Sequence, residues 1–504
     1  MCDDSEDRIQ DRHYCHRGRA SKFLLCAVYF AIGVGLAARL KQYIGTPSYW
    51  YDEAYLLVSI STKSYGELLG PLRGFQASPP LFSWALRALY ELAGASEWAM
   101  RLPAFLASMA TVVLIIPLAR RTLSGSGWCW AAVFCALSRH AIVHSYEAKV
   151  YSVDVFATVV TFLSGAICLK GYSHRERTFG WGMVFVLASI APWLSYPSVF
   201  VLGGVSASLF VDGFRHRSPN RLVAWFAMSS LLVLSFASVY IFAIRIQTSD
   251  YMTSYWQPFF PNLTSAVDSL RWFIETLVHI GTYGTTGMGW PLLGFAVLGF
   301  ARLVQRDVAT AVMLAGTLIL AFAAAIFRLY PLHDRLAFFA VPCIWLGAAA
   351  GIDCLLSSVS ARWRFVLLTV VLAIPANDLI LALQYVAVVK PRVDFRSAFD
   401  FVHARRRSGD RLWLPFTEVY EVYHGIDSHL LPSHPSPDQI EQVVRSQRLW
   451  LIVAPNAPQT YPTIFSRLKR LAGTPHLHHT VRGLEIMLFQ TRPEAKPGNR
   501  QNPP

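Results

Sequence analysis

The sequence predicts a polytopic α-helical membrane protein of about 11 transmembrane helices, with interfacial helices in its first outer loop and a small C-terminal extracytoplasmic α/β domain. Three observations carry that expectation. Of 504 residues, 54% are hydrophobic and only 15% charged, with mean hydropathy +0.37, whereas soluble domains carry about 25% charge. The apolar residues come in long runs rather than on scattered faces, as membrane spans require. Beyond residue 390 the runs stop and short helix and strand signals alternate.

The runs, in order, are 23–40, 102–119, 128–143, 150–169, 179–194, 199–211, 222–244, 290–303, 308–327, 336–355 and 365–386. Arg8, Arg12, Arg17, Arg19 and Lys22 precede the first, which favours a cytoplasmic N-terminus, because orientation follows Lys and Arg rather than net charge. The basic clusters "KGYSHRER", "FRHRSPNR", "VQRD" and "SARWR" then all fall on the same inner side. The formal charge of +14 sits in these clusters and forms no single basic stripe, so it sets topology rather than binding nucleic acid. None of the eight cysteines lies beyond residue 354, so the outer domain has no disulfide framework. The domains read as a tail over 1–22, a membrane domain over 23–389, an α/β domain over 390–490 and a disordered tail over 491–504.

The first outer loop, 41–101, has structure of its own. After Pro79 and Pro80, which suit a helix start, Leu81, Trp84, Ala85, Ala88, Leu89 and Leu92 share one helical face, with Ser83, Arg87 and Glu91 opposite. That pattern lies on a membrane surface. A second helix over 54–69 is a weaker expectation. In the C-terminal region, "VDFRSAFDFVHARRRSGDRLWLPF" reads as helix, turn and strand, "QRLWLIVA" as a strand, "PTIFSRLKRLAG" as a helix and "LEIMLFQ" as a final strand.

Charged residues gather at the outer edge. "SYWYDEAY" sets Asp52 and Glu53 among three aromatics just past the first span, and "HSYEAKVYS" places Glu147 and Lys149 at the start of the fourth. "RLYPLHDR" places Arg328, His333, Asp334 and Arg335 before the tenth span, and Arg101 opens the second. Snorkelling to lipid headgroups is the ordinary reading of such cations, yet basic residues are disfavoured on the outer side and need a reason. Acids and cations together suit an anionic substrate whose reaction needs a base. Asp154 and Asp353, in or near spans, read as helix-packing hydrogen bonders. "PHLHH" lacks Cys or Glu at ligand spacing and reads as a solvated face.

Taken in order and on one side of the membrane, these stretches resemble the GT-C glycosyltransferases that use polyprenyl-phosphate sugars, above all the protein O-mannosyltransferases and the aminoarabinose transferases of lipid A. "YDEAY" is similar to that family's Asp-Glu motif, "SPPLF" to its His-Pro-Pro-Leu stretch, and "RLPAFLASMATV" to the span that follows. "HSYEAKVYS" resembles its Glu-Ala-Arg-x-Tyr signature, "HDRLAFFAVP" its late Arg-Tyr segment, and "DFRSAFDFV…GDRLWL" its extracytoplasmic domain. Three positions depart from the pattern: Ser78 for His, Lys149 for Arg and Leu336 for Tyr. Lysine keeps the charge of arginine but loses its bidentate geometry.

The resemblance implies a membrane glycosyltransferase that moves a sugar from a polyprenyl-phosphate donor to a hydroxyl of a lipid, glycan or protein, with inversion, at the outer face of a bacterial inner membrane. It implies Asp52 as the base, with Glu53 and Glu147 in support. Lys149, Arg328, His333, Arg335 and Arg101 would hold the donor phosphate. The resemblance makes no cofactor certain, and a divalent cation is left open. The aromatic loop 245–289 reads equally as a lid or sugar platform and as an interfacial aromatic belt. The competing class is a transporter or flippase of lipid-linked sugars, which needs polar groups at mid-membrane depth and internal repeats.

Overall fold

A computed structural model describes residues 22–490. The two tails, and the expectations for them, lie outside the described residues. The chain divides into two compact units, one of Met1–Thr46 with Lys63–Val389 and one of Pro47–Thr62 with Lys390–Pro504.

The larger unit is a helical bundle. It runs through α1 (Lys22–Ile44), α3 (Pro80–Ala93), α4 (Glu97–Thr122), α5 (Gly127–Leu137), α6 (Arg139–His144), α7 (Tyr151–Lys170), α8 (His174–Leu194), α9 (Ser198–Arg215) and α10 (Pro219–Val239). Then come α11 (Ala266–Gly284), α12 (Gly289–Arg306), α13 (Val308–Ile326), α14 (Val341–Ser358) and α15 (Ala361–Ala387); α2 (Tyr51–Thr62) belongs to the other unit. The expected runs fall on helical segments, with 128–143 split between α5 and α6. Among the described residues, however, eight helices are long and apolar enough to cross a membrane, or nine if the bent pair α11 and α12 is one span. Helix α5 is short because Ser138 ends it and caps α6, its hydroxyl accepting from the Ala141 N–H at 3.4 Å. Helix α8 carries a charged first turn. The stretch expected as an open loop, 245–289, is largely helical: its His and charged residues interrupt the hydropathy of α11, not its helical period.

Several buried polar groups in this unit are paired across helices, as an environment without water favours. The Arg39 guanidinium, 1% exposed, donates to Ser108 Oγ at 2.9 Å and to the carbonyls of Gly35, Ala136 and Cys135, tying α1 to α4 and α5. Gln42 Nε2 donates to the carbonyls of Tyr385 and Val388, tying α1 to α15. Asp353 accepts from the N–H and hydroxyl of Ser126 at 2.7 and 2.9 Å and so fixes the turn before α5. Where α12 meets α14, Gly299, Gly347 and Gly351 let two backbones touch; a Cβ on Gly299 would stand 1.8 Å from the Gly347 oxygen.

Helix α3 forms where expected but packs on a different face. Pro80, Phe82, Ser83 and Leu86 are buried, while the apolar stripe from Leu81 to Leu92 is left partly or wholly accessible, Leu92 being 83% exposed. Ser83, expected on the polar side, donates to Ser78 Oγ at 2.8 Å. The stripe is therefore available to lipid rather than to the core.

The second unit holds a four-stranded sheet, β1 (Arg411–Trp413), β2 (Leu449–Val453), β3 (Leu477–Val481) and β4 (Leu484–Phe489), in the order β1-β2-β4-β3. Strand β1 runs parallel to β2; β4 is antiparallel to both β2 and β3. Strand β3 contains two histidines of "PHLHH", His478 and His479, and its polar, exposed middle hides a strand from the sequence. The helices are α16 (Phe395–His403), α17 (Thr417–His424), α18 (Pro437–Ser446) and α19 (Pro462–Ala472). Helix α2 packs into this unit, with Ala54 in the same core as Phe399, Val419 and Tyr420.

Candidate active site

Asp52 and Glu53 lie in the first turn of α2, 7% and 1% exposed. Carboxylates there are favoured by the amide N–H groups at a helix start. Glu53 Oε2 accepts from the Trp50 N–H at 3.3 Å, the reach-back half of a capping box, which accounts locally for one of the two acids. The segment before them is held within the second unit. The Tyr49 N–H donates to Tyr423 Oη at 2.7 Å, Ser48 Oγ to the Val393 carbonyl at 2.7 Å, Tyr51 stacks on Phe416, and Arg392 lies 4.1 Å above the Trp50 ring. The three aromatics beside the acids thus pack on protein.

In the bundle, Glu147 and Lys149 occupy the turn between α6 and α7, 2% and 6% exposed. The Lys149 N–H donates to the Glu147 carbonyl at 2.7 Å, which folds the turn tightly. Lys149 Nζ donates to Gln76 Oε1 at 2.6 Å. Glu147 Oε2 is 2.7 Å from His144 Nδ1, and His144 Nε2 is 2.6 Å from Tyr283 Oη. The result is a buried carboxylate–imidazole–phenol chain, in which the carboxylate accepts from Nδ1 and the phenol donates to Nε2 when the imidazole is neutral. His140 stacks on the Tyr283 ring at 3.9 Å and its Nδ1 is 3.0 Å from the Tyr283 carbonyl. Arg335 lies over Tyr151 at 5.5 Å, and the Tyr151 ring is 5.0 Å from His144. Arg335 and Glu147 are therefore two ends of one cluster.

The remaining expected residues are more scattered. Arg101 is buried in α4 at 2% exposure. Arg328 is exposed, with its backbone at φ 57°, in the connector between α13 and α14. His333, in the same connector, is partly buried, and that burial holds its pKa below the usual 6.5 despite the neighbouring Asp334. His279, not expected from sequence, stacks on His333. At the departure Leu336, the backbone carbonyl accepts from the Tyr330 hydroxyl at 2.9 Å. Ser78 sits in a buried polar knot: its N–H donates to Gln247 Oε1 at 2.9 Å, and Tyr196 Oη donates to the Ser78 carbonyl at 2.9 Å. His144, Tyr283, Gln76, Gln247 and Tyr196 were missed because each is a lone polar residue in sequence, brought to its partner by folding. Only His144, three residues before Glu147, carried a local signal.

An apolar cavity of about 510 Å³ opens between α11, α12 and α13, lined by residues including Phe273, Leu277, Phe300, Val304, Ala315 and Phe322.

Residues 77–242 match the family model of dolichyl-phosphate-mannose-protein mannosyltransferases. No curated protein sequence matches. Among solved structures, the chain is similar to ArnT from Cupriavidus metallidurans bound to undecaprenyl phosphate, with a TM-score of 0.54, 14% identity, and coverage of 93% of this chain and 98% of that one. The same protein in the apo state matches with a TM-score of 0.51 at 12% identity, covering 92% and 97%. The archaeal oligosaccharyltransferase AglB from Archaeoglobus fulgidus, in complex with an inhibitory peptide and a dolichol-phosphate, matches with a TM-score of 0.50 at 12% identity, covering 95% and 75%. The chain is an integral membrane protein with the GT-C fold.

Proposed function

We propose that this protein is a membrane glycosyltransferase that moves a sugar from a polyprenyl-phosphate donor to an acceptor hydroxyl, with inversion, at the extracytoplasmic face of a bacterial inner membrane. The observation that carries the reading is the turn between α6 and α7: inside the segment matched by the mannosyltransferase model, it holds two buried charged side chains, Glu147 and Lys149. Burying them costs free energy that a structural turn has no need to spend. The polar groups of the turn form a chemical cluster with Arg335 rather than a path through the bundle, which favours a transferase over a flippase. The apolar cavity along α11 to α13 has the character needed for an isoprenoid tail.

The chemistry is a single displacement. Asp52 takes the proton of the acceptor hydroxyl as its oxygen attacks the anomeric carbon. The bond from that carbon to the phosphate oxygen breaks, and polyprenyl phosphate leaves with the electron pair. Its charge is met by Lys149 and Arg335, with Arg328 and Arg101 as further cations and His333 as a hydrogen-bond donor, so no strong general acid is needed. Glu147 holds His144, and Glu53 holds the start of α2. A divalent cation, if one takes part, adds positive charge at the phosphate.

The test is release of polyprenyl phosphate from a panel of polyprenyl-phosphate sugars by purified protein, with membrane extract as the acceptor source. Release coupled to a new glycosidic product, lost in Asp52→Asn, is expected. Movement of label without a glycosidic product would establish the flippase instead.

A further inference from the structure

Arg39 lies toward the end of α1, buried, and its hydrogen-bond partners are all uncharged. A guanidinium taken out of water with no acid beside it is costly, and an apolar side chain would pack α1 against its neighbours without that cost. The donors of Arg39 instead converge on one place, the break at Ser138 where α5 ends and α6 begins.

An α-helix leaves its last four carbonyls without a partner inside the helix. In α5 these belong to Phe134, Cys135, Ala136 and Leu137. The Phe134 carbonyl accepts from the Ser138 N–H at 3.1 Å. The Cys135 carbonyl accepts from Arg39 Nη2 at 3.1 Å, and the Ala136 carbonyl from Nη1 at 2.7 Å. Arg39 Nε donates to Ser108 Oγ at 2.9 Å, and that hydroxyl donates in turn to the Ala141 carbonyl of α6 at 3.2 Å. One side chain thus serves the end of α5 directly and α6 through Ser108. The planar fork of arginine, with donors on three nitrogens, spans these acceptors, whereas the three N–H groups of lysine leave from one atom.

The backbone of α1 comes to the same place. A Cβ on Gly35, one turn before Arg39, would stand 2.2 Å from the Ala136 oxygen that Nη1 also meets. Helix α6 has six residues, a length of about 9 Å. It ends at His144, whose Nδ1 is 2.7 Å from Glu147 Oε2. Beyond the turn the chain returns to Arg39: Ser152, three residues past Lys149, lines one small cavity of about 10 Å³ together with Arg39, Ser108 and Ala141. A change at the break is therefore carried to the turn by a single short helix.

We infer that Arg39 is a positioning residue: it holds the α5–α6 break and so sets the turn that presents Glu147 and Lys149. Its consequence for transfer rests on the glycosyltransferase reading, whereas the bracing of the break does not.

The experiment compares the full-length protein in detergent with Arg39→Met, Arg39→Lys and Ser108→Ala. Hydrogen exchange followed by mass spectrometry, with no donor present, reads the backbone directly. Peptides covering 138–150 should exchange about tenfold faster or more in both Arg39 variants and about threefold faster in Ser108→Ala, while peptides of the α12–α14 seam keep the wild-type rate. Release of polyprenyl phosphate should show a raised donor KM, with kcat/KM lower by about 10²-fold in Arg39→Met and about tenfold in Ser108→Ala. A lowered unfolding temperature with donor KM unchanged, the behaviour of a merely structural residue, overturns the inference. So does wild-type exchange over 138–150 in the variants, or exchange that rises as much in the seam as at the break. Wild-type behaviour of Arg39→Lys in both readouts overturns it too, because charge rather than the fork would then be what the site needs. Ser108→Ala removes one hydroxyl and carries the test if Arg39→Met does not fold. Wild type that releases no polyprenyl phosphate refutes the transferase reading, and the exchange rates then decide the bracing role alone.

Discussion

His144 Nε2 and Tyr283 Oη lie 2.6 Å apart, although 139 residues separate them in the chain. The other ring nitrogen of His144 is 2.7 Å from Glu147, so one imidazole joins the α6–α7 turn to the end of α11. Tyr283→Phe removes one hydroxyl from this buried chain and leaves the ring stacking in place. A lost buried hydrogen bond costs about 1–3 kcal/mol, so transfer should fall by about tenfold or more. Steady-state transfer rates measured beside thermal unfolding check it: a positioning role lowers kcat with donor KM little changed, whereas a purely structural one lowers only stability.

The two acids of α2 should separate cleanly. Asp52→Asn should lower transfer by about 10²–10⁴-fold with little change in unfolding temperature, the loss expected of a general base. Glu53→Ala removes the bond to the Trp50 N–H and should cost about 1 kcal/mol of stability, whereas Glu53→Gln keeps a capping side chain and most of that stability. If Glu53→Ala abolishes transfer at unchanged stability, the assignments of the two residues are reversed.

Lys149 tests the phosphate role. Lys149→Ala removes a buried cation and its bond to Gln76 Oε1, and should raise donor KM by about tenfold or more. Lys149→Arg restores the charge and should recover part of the affinity. Loss of kcat alone, with donor KM unchanged, would place Lys149 elsewhere in the reaction.

Acid sensitivity should trace to the unit that holds the sheet. Asp427 accepts from Arg406 at 2.7 Å, from the His429 N–H at 2.8 Å and from the Tyr420 hydroxyl at 3.1 Å. Burial alone pushes its carboxyl up; these partners outweigh that and bring it down from 3.8 to about 2. A folded pKa below the unfolded one means stability that is complete above about pH 4 and lost as the pH falls toward 2. Asp427→Asn should therefore cost roughly 2 kcal/mol at most at neutral pH and flatten the fall in unfolding temperature between pH 4 and 2.

The glycine seam between α12 and α14 should be intolerant. A Cβ on Gly351 would lie 2.0 Å from the Phe295 carbonyl oxygen, while one on Gly294 meets nothing within 4 Å. Gly351→Leu should destabilise the bundle by more than about 4 kcal/mol, seen as lost detergent-soluble protein, and Gly294→Ala should behave as wild type.

The sequence by itself determined the membrane class, the helical runs and the existence of the C-terminal sheet, because burial in lipid demands long apolar runs and strands show their local period. It also singled out Asp52, Glu147, Lys149 and Arg335 as candidates, since charged residues in a greasy chain stand out one at a time. Only the tertiary structure decided that the stretch around Asp52 packs with residues beyond 390, and that Ser138 breaks a span. The same holds for the partners of these residues. Gln76 for Lys149, Tyr283 for His144 and His279 for His333 are single polar residues 54–139 positions away. A hydrogen bond is fixed by ångströms between side chains, and nothing in hydropathy or spacing encodes that distance until the helices have packed.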